Sequence, residues 1–113
     1  MKTQNLSASE LRLNNYVFDG GEVVMLKDNY TLFKALVDLD RGKRIKPIPL
    51  TEEWLLNFGF KNNRLGLFDC FKEVEYIGFR IYFIKKHLRE VQYVNQLQNL
   101  YFVLMGTELI IKE

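Results

Sequence analysis

Two prolines one residue apart, in Lys46-Pro47-Ile48-Pro49-Leu50, constrain this chain more than any other stretch. Each proline fixes its own φ and holds the residue before it out of the helical region, so 46–50 must run extended. Thr51 then caps a short helix. Glu52 and Glu53 fall in its first turn, where the helix dipole favours them, and Leu50 can staple onto Leu55. Trp54, Leu55 and Phe58 make the apolar face, and Gly59 ends the helix. An extended approach and a short helix are thereby placed mid-chain, and everything else must be fitted around them.

Upstream, Ser7-Ala8-Ser9-Glu10 fits a capping box and one helical turn. Asn14–Phe18 reads as a strand, Asp19-Gly20 as the dipeptide of a two-residue hairpin turn, and Glu22–Lys27 as the returning strand. After a turn at Asp28-Asn29, the stretch Tyr30–Leu39 carries two patterns at once. Phe33, Ala35, Val37 and Leu39 alternate as one strand face, while Leu32, Phe33, Leu36 and Val37 fit a helical stripe with Asn29 as cap. The hairpin before it favours the strand. Downstream, Lys61–Gly66 is a loop, and Glu73–Ile77 and Phe79–Ile84 are strands separated at Gly78. Val91 and Tyr93 belong to a further short strand. A second helix follows, with Asn95 as cap, Gln98 at the reciprocal position and Gly106 as its end, before a closing strand at Leu109-Ile110-Ile111. Antiparallel strands interrupted by two short helices define an α+β domain. The expected architecture is a curved antiparallel sheet packed on two short helices, its N-terminal half compatible with an SH3-like arrangement.

A chain of 113 residues with 48% hydrophobic content, nine Phe, six Tyr and one Trp can bury an ordinary core as one domain, 1–113. Met1–Ser7 has no charged-then-apolar leader, and Leu100–Met105, among the longest apolar runs, is far short of the ~20 residues that span a bilayer. The expectation is a cytoplasmic protein with no membrane contact.

Catalytic constellations are sparse. Cys70 is the only cysteine and stands between aromatic neighbours, Phe68 and Phe71, as a small buried hydrophobe would. His87, the only histidine, is flanked by Lys86 and Arg89, which disfavour both its protonation and metal loading. No metal, no cofactor and no catalytic residue is expected. Asp38/Asp40 and Glu73/Glu75 would each share a strand face, which permits a carboxylate hydrolase as the weakest reading. Gly20-Gly21 lacks the residues of a phosphate loop and is a hairpin.

Two binding surfaces stand out. Arg41, Lys43, Arg44 and Lys46 place four cations in six residues, enough to hold phosphates of a nucleic acid or nucleotide, although Asp38 and Asp40 precede them and net charge is only +2. In the second helix, Leu97, Leu100, Tyr101 and Leu104 form an inward stripe. Phe102 and Val103 fall on the flanks of the opposite side, near Gln98 and Asn99. Such a helix is either fully buried or covered by a partner, and a homodimer through helix 96–105 is one form that cover could take.

Three segments, Glu10-Leu11-Arg12-Leu13-Asn14-Asn15-Tyr16-Val17, Lys46–Leu55 and Val94-Asn95-Gln96-Leu97-Gln98-Asn99-Leu100-Tyr101-Phe102, resemble in order and wording a family of short phage and prophage proteins of Bacteroides-type bacteria. The resemblance runs through nearly the whole chain, with one departure: the family pattern commonly has His where this chain has Asn95. It implies provenance rather than chemistry. Together these readings lead to a non-enzymatic accessory protein that binds a host or phage protein, with Gln98, Phe102 and Val103 as contacts and inhibition of a host defence or host enzyme as its use. The alternative is a nucleic-acid or nucleotide module built on 41–46.

Overall fold

The computed structural model describes residues 11–40, 45–72 and 78–112 and has the α+β class expected, with two antiparallel sheets and three helices. The first sheet has the order β2-β1-β3, from Glu22–Met25 (β2), Tyr16–Asp19 (β1) and Ile45–Lys46 (β3). Asp19 pairs with Glu22, so the hairpin turn is Gly20-Gly21, not Asp19-Gly20; both glycines take positive φ, 64° and 92°. That is the backbone a two-residue turn needs to match the strand twist.

The stretch expected as a strand at 30–39 is a helix, α1, Asn29–Asp40. The deciding signal is Asp28. Its carboxylate accepts both the N–H and the hydroxyl of Thr31, each at 2.7 Å, and so supplies the first turn with a partner that a strand would not need. The helix packs Ala35 and Leu32 against Val17, Leu26 and Ile45, and Phe33, which belonged to both the strand face and the helical stripe, points to solvent.

The second sheet runs β4-β5-β6-β7: Arg64–Leu65, Phe68–Lys72, Phe79–Phe83 and Lys86–Val91. Its inner face is Phe68, Cys70, Phe79, Ile81 and Val91, and α2 (Glu52–Phe58) and α3 (Val94–Met105) contribute Leu55, Phe58, Val94 and Leu97 to the same core. Helix α2 follows the sequence reading closely. Thr51 Oγ1 accepts the Trp54 N–H at 3.3 Å, and Gly59, at φ 104°, returns the chain to the Leu56 carbonyl. The proline segment then pairs with the entry to α3: Pro49 bridges Tyr93, Leu50 N–H donates to the Gln92 carbonyl and Val94 N–H to that of Ile48. Gly78 is needed because a Cβ there would meet the Val91 carbonyl oxygen at 2.5 Å.

That pairing starts α3 earlier than expected. Tyr93, not Asn95, is the capping residue, and Gln96, not Gln98, turns back to accept the N–H groups of Gln92 and Tyr93 at 2.8 and 3.2 Å. Asn95 lies buried in the first turn. The closing stretch Leu109–Ile111 is not a strand. It is held by scattered bonds instead: the Leu109 carbonyl takes the Gln98 amide, Ile111 N–H reaches the Tyr16 hydroxyl, and Lys112 N–H the Asn57 carbonyl.

Gln98 is the residue on which these pieces converge. Fully buried, its Oε1 accepts the Tyr16 N–H at 2.9 Å, and its Nε2 donates to the carbonyls of Asn14 and Leu109 at 2.7 and 2.9 Å. Gln98→Ala should destabilise the fold by roughly 3 kcal/mol or more, since it strands three backbone groups at about 1–3 kcal/mol each. Gln98→Met, which keeps the volume, should recover little of that loss. Urea melts of the three proteins measure both.

Candidate functional site

The residues singled out for binding separate into different places. Lys46 is exposed on β3 opposite Phe18, while Arg41, Lys43 and Arg44 lie outside the described residues. Gln98 is no contact residue. Its amide is spent on the interior, and around it Asn15 Nδ2 and Arg12 Nε both donate to Asn99 Oδ1 at 2.9 and 3.0 Å. Arg12 also pairs with Glu108 at 2.8 Å and lays its guanidinium 4.4 Å from the centre of the Phe102 ring. One face of Phe102 is therefore occupied from within the chain.

Val103 is the opposite case, 76% exposed. Leu104, assigned to the inward stripe, is exposed with it, because the buried side of α3 is Val94, Leu97 and Gln98 early in the helix, with Leu100 and Tyr101 only partly covered. The core ends before the helix does. As a result Phe102, Val103, Leu104 and Met105 are four successive exposed apolar residues around the last turn, ended at Gly106 (φ 76°). Arg12, Glu108 and Arg89 stand nearby, the last lining a hollow of about 210 Å³ with Gln96, Asn99, Leu100 and Val103. Charges of both signs frame the apolar run.

The remaining chemistry-bearing residues do not assemble. Cys70 faces the core beside Ile81, and His87 pairs with Tyr82 on the other side of the same sheet, so thiol and imidazole cannot meet. Burial also pushes the Cys70 thiol up to about 12 from 9.0, which keeps it protonated and non-nucleophilic. Asp38 and Asp40 sit two apart on a helix, roughly 200° around its axis, not on one strand face as expected. Glu73 and Glu75 lie outside the described residues. Among the described residues there is no cluster of three His, Cys, Asp or Glu side chains, and no helix is long and apolar enough to cross a membrane.

Sequence reasoning missed one feature. On the outer face of the second sheet, Phe71, Tyr82 and His87 form a row of rings across β5, β6 and β7, with centroids 5.8 and 5.3 Å apart. The signal was Phe71, which shares strand parity with Asp69 and therefore faces away from Phe68 and Cys70. It became usable only once 68–72 was recognised as a strand. Against known proteins, no family model, no curated protein and no solved structure matches this chain.

Native protein should leave Cys70 unmodified by a thiol-reactive disulfide reagent at pH 8, with one thiol appearing on addition of denaturant. Because only the unfolded chain ionises this thiol between about pH 9 and 12, its share of stability is complete below pH 9 and falls as pH rises through that window. Rapid labelling of the folded protein would contradict the burial.

Proposed function

We propose that this is a non-enzymatic accessory protein that acts by binding another protein through the last turn of α3. The observation that carries the reading is the run Phe102–Met105, four successive apolar side chains left exposed where the core has ended. A surface meant only for solvent gains nothing from such a run, and the flanking Arg12, Arg89 and Glu108 offer both signs of charge, as a protein partner's rim would require. The resemblance to phage and prophage proteins fits a partner in the host or phage, and inhibition of a host defence or host enzyme is the use this reading gives it. Self-association through the same turn is the two-fold version of the contact.

Val103→Lys/Met105→Lys tests the reading, since both side chains are exposed and their loss should leave the fold intact. Light scattering across a concentration series detects a homodimer that the variant abolishes. For a heterologous partner, wild-type and variant proteins are used as bait in host lysate with and without nuclease. A partner kept by the wild type and lost by the variant supports the proposal. A partner held equally by both, or released by nuclease, contradicts it.

A further inference from the structure

The outer face of the second sheet carries a different surface. Strand alternation puts Asp69 and Phe71, and Arg80 and Tyr82, on this side, opposite the buried Phe68, Cys70, Phe79 and Ile81, and the register shift at Ile81/Tyr82 brings both His87 and Glu90 to it as partners of Tyr82 and Arg80. Cross-strand ring pairs stabilise sheets on their own account, which explains why the rings touch. It does not explain why Phe71 is left 48% exposed at the end of the row, nor the turn beside it.

That turn, Ile84-Lys85 between β6 and β7, has φ of 52° and 63°. A β-branched residue rarely enters the left-handed region, and Ile84 is 61% exposed, so little packing offsets the local cost. Leu67, on the β4–β5 turn, is exposed alongside, its carbonyl accepting the Ile84 N–H at 3.0 Å. Leu67 and Ile84 wall a hollow of about 210 Å³ whose other lining is Arg64, Gly66, Asp69 and Lys85. Apolar walls with a guanidinium and an ammonium among the lining suit a flat base that carries a phosphate.

On this face and its turn the described residues hold three cations, Arg64, Arg80 and Lys85, against two carboxylates, Asp69 and Glu90, while Lys72, Lys86 and Arg89 pair with the inward Phe79, Phe83 and Ile81. Glu73 and Glu75 lie outside the described residues. Both carboxylates on the face are engaged, Asp69 by Arg64 at 2.8 Å and Glu90 by Arg80 at 3.5 Å. We propose that this face binds single-stranded nucleic acid, with bases stacked on Phe71, Tyr82 and His87 and phosphates held by Arg64 and Lys85. A sheet face can stack only bases that are already unpaired, which selects a single strand over a duplex.

Fluorescence anisotropy with a labelled oligo(dT) of about twelve nucleotides, and with a duplex of equal length, tests this in the full chain. The single strand should bind more tightly than the duplex. Phe71→Leu should weaken binding about tenfold, the loss of one stacked base. Lys85→Ala, on an exposed turn where folding is not at stake, should lower the slope of log affinity against log salt by about 0.7. Val103→Lys/Met105→Lys should leave oligonucleotide binding unchanged, so failure here is separate from failure of the α3 contact. No binding at low salt, equal binding of the duplex, undiminished binding by either sheet variant, or a protein partner captured through Lys85 with no oligonucleotide bound would overturn the proposal.

Discussion

One buried primary amide ties the molecule together. Gln98 projects from the middle of α3 into a place with no water, where each of its polar atoms must find a partner or cost free energy. Its partners are main-chain groups of Asn14, Tyr16 and Leu109, two of them more than eighty residues away in sequence. Around it Arg12, Asn15 and Asn99 extend the network, and Asn14 adopts a positive φ of 71° so that its N–H and the Asn15 carbonyl can both meet Leu26. The turn into β1, the helix and the C-terminal segment are thus fixed by one set of bonds. A network of this kind adds specificity of register more than energy, because the unfolded chain makes the same bonds to water.

The network also determines what is left outside. Because α3 is anchored through its first two turns, its last turn overruns the core and carries Phe102–Met105 into solvent. Arg12, held by Asn99 and Glu108, reaches over Phe102 and divides the exposed run into one ring with a cation above it and three uncovered aliphatic side chains.

What could be read from the sequence was what local chemistry decides. Thr51, the two prolines and Gly59 act on their own neighbours, so α2 and its extended approach were legible residue by residue. The α+β class followed from the same kind of signal. The stretch 30–39 was not legible, because two hydrophobic periods coexist there and the decision falls to Asp28, one residue before the helix and outside the window in which the periods compete. Asn95 was a reasonable cap by residue type, but the bridge between Pro49 and Tyr93, forty-four positions apart, sets where the chain turns into α3. Gln98 looked like a surface contact for a related reason: nothing near it in sequence shows that residues 14–16 will lie against it. The ring row depends on the register of three strands and a shift between Ile81 and Tyr82, which no single segment encodes.

The central claim is that the N-terminal turn and α3 are locked through Gln98, and the Tyr16 amide reports on it directly, since its proton bonds to the Gln98 side chain. Native-state hydrogen exchange followed by NMR gives its opening free energy. If the account is right, Tyr16 N–H exchanges only with global unfolding, alongside core amides such as that of Ile81. Exchange of Tyr16 as fast as an exposed turn amide such as Gly66, while Ile81 stays protected, would show that the two segments open independently and would contradict it.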